Sequence, residues 1–165
     1  MTVRSGSVSL RAPVAEHRER VRDMVEATAI FRPEEVEVAL EVFESAALDP
    51  GGEYTPIGAF DDEGHLLGFA VYGPTPCTQG TWDLYWIVVD PQAHRQGVGR
   101  KLLEDTERHI AGEDGRLIVA ETSSRADYGP TRAFYEAMGY GVAARVPDFY
   151  APGDDLVVYT KRLAL

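Results

Sequence analysis

From Trp82 to Ile110 the sequence reads as a strand, a short basic turn with two glycines, and a helix. The strand is Leu84-Tyr85-Trp86-Ile87-Val88-Val89, rich in β-branched and aromatic side chains. Asp90-Pro91 stops it. The turn follows as Gln92-Ala93-His94-Arg95-Gln96-Gly97-Val98-Gly99-Arg100-Lys101. Val98, Leu102, Thr106 and Ile110, with Leu103 beside them, fall on one stripe of a helical repeat. A strand that delivers the chain to a helix start aims several unpaired N–H groups, and the positive end of the helix dipole, at one point. Phosphate fits such a point, and glycine lets a bulky anion come close to the backbone.

Two common phosphate loops do not match these residues. The P-loop needs Gly-Lys followed by a hydroxyl residue for magnesium, whereas Gly99 is followed by Arg100, Lys101 and Leu102. The dinucleotide fingerprint needs a third glycine, and Leu102 stands in its place. What remains is Gly97-x-Gly99, with basic residues on both sides. On these residues alone, a nucleotide or coenzyme A site competes with an ordinary turn whose glycines serve only the chain reversal.

The remaining chain frames this junction. At 165 residues the sequence is most simply one domain, able to bury about 70% of its unfolded surface. Hydrophobic residues make up 44% and charged residues 26%, as in a globular protein. No apolar run approaches the roughly 20 residues of a membrane span, and Met1–Arg11 does not read as a signal peptide. Cys77 is the sole cysteine, so no disulfide framework or cysteine metal cluster is expected, and a reducing cytoplasm is the simplest home. The net charge of −11 argues against a nucleic-acid binder. The acidity either attracts a cationic substrate such as an amine or simply keeps the protein soluble.

Patterning predicts a strand near Val8–Arg11, a helix over Pro13–Thr28, and a second helix from Pro33 carrying Val36, Ala39, Leu40 and Phe43. Tyr54–Phe60 and Leu66–Tyr72 form a hairpin through Asp61-Asp62-Glu63-Gly64. The glycine-turn helix is followed by a strand at Leu117–Ala120 and a helix over Thr131–Met138 with Phe134, Ala137 and Met138 inward. Gly139 ends that helix. Tyr140–Val146 and Leu156–Lys161 form a last strand pair, joined by a long Pro147–Asp155 loop. The order β-α-α-β-β-β-α-β-α-β-β implies a mixed α/β sheet with helices on both faces.

The turn resembles the acyl-CoA pyrophosphate loop of the GNAT superfamily of N-acyltransferases, written Gln/Arg-x-x-Gly-x-Gly/Ala, with His94 at the Gln/Arg place. Thr131-Arg132-Ala133-Phe134-Tyr135-Glu136-Ala137-Met138-Gly139-Tyr140 is similar to that family's C-terminal signature, an aromatic pair ahead of Gly-Phe or Gly-Tyr. Tyr128 and Thr131 stand where the family often has Asn and Ala. The element order is also the family's, which implies a mostly antiparallel central sheet. The resemblance implies that His94, Arg95, Gln96, Gly97, Val98, Gly99, Arg100 and Lys101 hold the diphosphate of acetyl-CoA. It further implies that backbone N–H groups of Ile87, Val88 and Val89 hold the thioester and pantetheine arm, with Phe134 also in the cofactor set. For that, the strand around Val119 must splay away from them.

Tyr135 falls on the family position whose phenol meets the departing sulfur. Independently, it sits about 100° round the helix from the Phe134 stripe, with its ring at the core edge. The plain alternative is a packing tyrosine hydrogen-bonded to water. An ammonium is not a nucleophile, so a base is needed. Asp83 is fourteen residues before Gly97, the spacing at which one branch of the family carries a catalytic Glu. Glu121 ends the next parallel strand, where ligands of α/β sheets gather. Either serves, or both are strand-end carboxylates.

His17, His65, His94 and His109 show no metal-ligand spacing, and no metal is expected. The stretch Asp148–Asp155, with Phe149 and Tyr150, either closes over an ammonium substrate by cation–π contact or is a solvated turn. The expectation is thus an acetyl-CoA-dependent N-acetyltransferase acting by direct attack on a small amine or amino acid. A protein N-terminal or lysine acetyltransferase and a non-catalytic acyl-CoA-binding module are the alternatives. Nucleic-acid and membrane partners are not expected. Relatives are commonly homodimers.

Overall fold

The glycine junction folds as a strand and a helix because each segment has the right period. The computed structural model describes residues 6–94 and 96–164. The strands are β1 (Ser9–Arg11), β2 (Thr55–Phe60), β3 (Leu66–Pro74), β4 (Thr81–Val89), β5 (Leu117–Ser123), β6 (Gly141–Ala151) and β7 (Asp154–Arg162). The helices are α1 (Arg18–Ala27), α2 (Pro33–Leu48), α3 (Val98–Gly112) and α4 (Gly129–Ala137). The sequence order is the expected one. The strands neighbour one another as β1-β2-β3-β4-β5-β7-β6. Only the β4–β5 pair is seen to be parallel, while β1–β2, β2–β3, β5–β7 and β6–β7 are antiparallel. The described residues divide into two compact units. One runs to Gly73 and resumes over Trp86–His109; the other comprises Pro74–Tyr85 and the chain from Ile110 onward.

In the first unit a short 3-10 turn, Ala15–His17, leads into α1. Pro33 starts α2, where it has no N–H to waste, and Glu34 and Glu35 sit at its positive end. The apolar stripes of α1 (Val21, Met24, Val25) and α2 (Val36, Ala39, Leu40, Phe43) bury against Phe60, Leu66, Phe69, Val71 and Val88. Phe43 and Phe69 meet edge-on at 5.7 Å, and truncating such a side chain to alanine costs roughly 3–5 kcal/mol. The β2–β3 hairpin turns on Asp61, whose Oδ1 accepts the N–H groups of Glu63 and His65 at 2.9 and 2.8 Å.

The opposite face of β3 carries α3. Phe69 and Val71 point at α1 and α2, so Gly68 points the other way. A Cβ on Gly68 would lie 2.9 Å from Val88 O, 3.1 Å from Val98 Cγ1 and 3.2 Å from Leu102 Cδ1. The helix therefore rests almost directly on the strand. All five stripe residues of α3 are buried, Val98 at 2% exposure and Leu102, Leu103, Thr106 and Ile110 at 0%.

In the second unit β4 pairs with β5 from Thr81↔Leu117 to Leu84↔Ala120, and β5 pairs with β7 over its whole length. Tyr135 of α4 packs on Tyr140 and Tyr159, each ring 5.6 Å away. The inward face of α4 differs from the expected one. Tyr135 and Met138 are buried, Phe134 is half-buried and Ala137 is exposed. The tyrosines of β7 and the α4–β6 junction recruit the ring of Tyr135, and no helical pattern within α4 encodes those neighbours.

The Pro147–Asp155 stretch also departs from expectation, because it is strand rather than loop. β6 continues to Ala151 and β7 begins at Asp154, with register shifts between Val142 and Ala144 and between Val146 and Ala151. Asp148 makes this possible. It adopts φ of 54°, its N–H donates to Asp155 Oδ1 at 2.9 Å, and its Oδ1 accepts the Gly153 N–H at 2.7 Å. These bonds stand in for the ladder that the irregular strand loses. Every residue of β6 is exposed.

Candidate active site

The turn before α3 begins where β4 ends. Asp90 caps a 3-10 turn, Pro91–Ala93, by accepting the Gln92 N–H on its carboxylate at 2.9 Å and the Ala93 N–H on its carbonyl at 2.8 Å. Its own N–H donates to Leu67 O of β3 at 2.9 Å. Gly97 then adopts φ of 72°, a left-handed conformation, and among the described residues no atom beyond its chain neighbours lies within 4 Å of where its Cβ would stand. The Gly97 carbonyl accepts the Lys101 N–H at 3.0 Å, so Gly97 caps α3 and the amides of Val98, Gly99 and Arg100 lack intrahelical acceptors. The helix end carries roughly half a positive elementary charge. The result is open backbone at a cationic helix start, shaped for a bulky anion.

The side chains here divide into anchors and an open rim. Ala93 and Val98 are buried at 3% and 2% exposure and tie the turn to the core. His94, Gln96, Arg100 and Lys101 are exposed, and Gly99 is half-buried. Arg100 approaches Glu104 at 3.5 Å, a surface pair of little strength that leaves the guanidinium able to turn to a ligand. The assignment of Arg95 lies outside the described residues.

The backbone groups of β4 face alternate sides. The Asp90 N–H is directed at β3, so Val88 also faces β3, and Ile87 and Val89 face away from it. Of the three backbone amides named for the thioester arm, those of Ile87 and Val89 face away from β3 and that of Val88 faces it. The Val88 side chain is buried, at 4% exposure within the α1–α2 cluster. The β4–β5 ladder still includes Val119, opposite Asp83, and reaches Leu84↔Ala120 before it stops.

Tyr135, Asp83 and Glu121 belong to the second unit. Tyr135 is 5% exposed. Its hydroxyl has no hydrogen-bond partner among the described residues, yet it is not one of the fully enclosed unpartnered oxygens, which include Thr106 Oγ1 and Thr122 Oγ1. Burial pushes the phenol pKa well above its ordinary value, so at neutral pH the group is a hydrogen-bond donor and never a phenolate. Phe134 lies beside it, ring centroids 5.8 Å apart.

Asp83 and Val119 are partners in the parallel ladder, so Asp83, Val119 and Glu121 share one face of the sheet. The Cα atoms of Asp83 and Glu121 are therefore about 8 Å apart, from strand rise and strand spacing. Asp83 accepts the Thr75 hydroxyl at 2.8 Å and the Tyr85 hydroxyl at 3.4 Å. These neutral donors hold the carboxylate in place without cancelling its charge. Glu121 is exposed and has no ion pair among the described residues. Sequence reasoning missed Thr75 and Tyr85 as partners of Asp83. Alternation along β4 places Tyr85 beside Asp83, whereas no local pattern brings Thr75 in from the preceding loop. It also read Asp90 only as a stop, although Asp two residues before a backbone donor is a capping signal.

Among the described residues no three His, Cys, Asp or Glu side chains gather as a metal site. No described helix is long and apolar enough to cross a membrane.

Known proteins share this fold. The family model of the acetyltransferase (GNAT) domain matches residues 56–142. A crystal structure assigned to the GNAT family from Desulfovibrio desulfuricans is 40% identical, with a TM-score of 0.88 over 96% of this chain and 100% of that one. yncA of Salmonella typhimurium, assigned as an acetyltransferase and solved with acetyl-CoA as its cofactor, is 18% identical with a TM-score of 0.74, covering 96% of this chain and 95% of that one. The ribosomal-protein-S18-alanine N-acetyltransferase of Escherichia coli is 17% identical with a TM-score of 0.76, covering 96% of each chain. No curated protein matches the sequence significantly. The open helix start at Gly97 lies within the matched span, and the chain belongs to the GNAT family of acetyltransferases.

Proposed function

We propose that this protein is an acetyl-CoA-dependent N-acetyltransferase of the cytoplasm that acts on a small primary amine or amino acid by direct attack. The observation that carries the reading is the Gly97 junction, where uncapped amides at a helix start meet space that a side chain would otherwise fill. A diphosphate fits such donors, and His94, Arg100 and Lys101 add exposed cationic or ionisable groups around them.

The chemistry then needs few parts. The amine lone pair attacks the thioester carbonyl carbon, a C–N bond forms, and charge develops on the carbonyl oxygen. Backbone amides of β4 on the Ile87 and Val89 side stabilise that charge. The C–S bond breaks, and the net proton passes from nitrogen to sulfur, leaving an amide and free CoA thiol. Asp83 or Glu121 receives the proton from the amine. Both are unneutralised carboxylates on one sheet face, and they favour a cationic acceptor. Tyr135 donates a hydrogen bond to the departing sulfur. A phenol near pKa 10 loses its proton less readily than a thiol near about 8.5, and burial widens that gap. Its role is therefore to hold charge on sulfur while solvent completes the protonation.

The test is calorimetric titration with acetyl-CoA followed by thiol release over a panel of amines. Binding with turnover on small amines supports the proposal. Binding with no turnover on any amine or peptide N-terminus would assign a non-catalytic acyl-CoA module instead.

A further inference from the structure

Arg20 on α1 and Asp90 at the end of β4 are separated by 70 positions and meet as an ion pair. The guanidinium is shared between two elements. Its Nε donates to Leu66 O at the start of β3 at 3.0 Å, and its Nη2 donates to Asp90 Oδ2 at 2.5 Å. The Asp90 side chain is 12% exposed, and all its polar groups are occupied. Oδ1 caps the Gln92 amide, the carbonyl takes the Ala93 amide, and the N–H goes to Leu67 O. Burial pushes the Asp90 carboxyl up, but Arg20 and the Gln92 amide outweigh it and hold the group below the ordinary carboxylate range. Asp90 is thus a fixed anion on which α1, β3 and the turn before α3 converge.

That turn has few other anchors. Between Asp90 and Val98, Ala93 is the only buried residue among those described. An anion cradle made of backbone amides works only if its donors are already aligned.

We propose that the Arg20–Asp90 pair is a positioning device for the diphosphate of the acyl donor, fixing the Pro91–Ala93 turn and with it the Gly97 amides. The inference rests on the reading of that loop as the diphosphate site. It predicts an effect on donor capture that depends on the diphosphate and not on the acyl arm. Arg20 does not touch the donor; it acts through Asp90.

The experiment compares acetyl-CoA with S-acetylpantetheine, which carries the same thioester arm without the diphosphate. Binding of each is measured, by calorimetry or competition, for wild type, Arg20→Met, Arg20→Lys and Asp90→Asn. Arg22→Met is the control, since Arg22 is also on α1 and pairs with Glu37 at 2.7 Å. Thermal melting of every variant is followed alongside. Arg20→Met and Asp90→Asn should each lose about tenfold in acetyl-CoA affinity, the scale of one charge-assisted hydrogen bond. Their S-acetylpantetheine affinity should stay at the wild-type value. Arg20→Lys should recover part of the loss, because an ammonium supplies charge but not the two-way fork. Equal losses on both donors, no loss on acetyl-CoA, or the same loss in the Arg22 control would overturn the proposal. If Arg20→Met does not fold, Asp90→Asn and Arg20→Lys decide it. Should the wild type bind acetyl-CoA no better than S-acetylpantetheine, the diphosphate reading of the loop itself falls, an outcome distinct from the others.

Discussion

Two polar stretches of this chain, Asp90–Lys101 and Arg145–Asp155, look equally suited to hold a charged ligand when read as sequence, and they fold to opposite ends. In the first, Asp90 is consumed by the protein, and it is consumed in holding the turn. The first amides of α3 have no intrahelical acceptor, and the rim of His94, Gln96, Arg100 and Lys101 is left exposed. In the second, the carboxylates face inward on the hairpin's own needs. Asp155 accepts the Asp148 N–H at 2.9 Å and the Arg145 Nε at 2.7 Å, and Asp148 accepts the Gly153 N–H at 2.7 Å. Charge content does not make a site. A site needs groups whose hydrogen-bonding capacity the fold has left unspent.

The sharpest way to break this contrast is to fill the space at Gly97. Gly97→Glu should lower CoA affinity by at least about a hundredfold, because it places a carboxylate where the diphosphate is expected. Calorimetry reads the loss, and circular dichroism should show an unchanged fold. Next in size is Tyr135→Phe, which should lower kcat about tenfold to a hundredfold while acetyl-CoA affinity stays within about twofold. Steady-state kinetics with the best amine of the panel checks it, and unchanged turnover would remove the phenol from the mechanism.

On the other side of the comparison, Asp148→Ala should lower the melting temperature by a few degrees at most and leave CoA affinity alone. A large loss of CoA binding in that variant would mean that the hairpin carboxylates are not merely structural. The smallest effect concerns acid. The Asp148 N–H first, and the Arg145 guanidinium second, hold the Asp155 carboxyl below its ordinary 3.8. A carboxyl depressed in the folded state adds stability that is complete above the unfolded value and disappears as pH falls through the folded one. Urea midpoints measured between about pH 2 and 5 should therefore fall less steeply for Asp155→Asn than for wild type.

What could be read from the sequence was whatever a single segment encodes by itself. The α3 stripe of Val98, Leu102, Leu103, Thr106 and Ile110 is buried as its period demands, and the β2–β3 hairpin turns where Asp61-Asp62-Glu63-Gly64 places it. The left-handed glycine turn ahead of α3 was legible for the same reason. What depended on distant partners was not. Tyr135 turns inward because Tyr140 and Tyr159 come to it. Pro147-Asp148 continues a strand because Asp155 supplies the missing acceptor. Thr75 reaches Asp83 from a loop whose path no local pattern fixes, and Arg20 reaches Asp90 across 70 positions.

The bare strand position beneath α3 has a consequence for how such a protein can change. With Val98 and Leu102 resting on Gly68, even one methyl at position 68 would act as a shim, levering up the first turn of the helix and the amides it presents. Donor affinity could then be retuned from a residue that no ligand ever meets, and substitutions there would read as packing defects in stability assays while registering as a shifted cradle in binding ones.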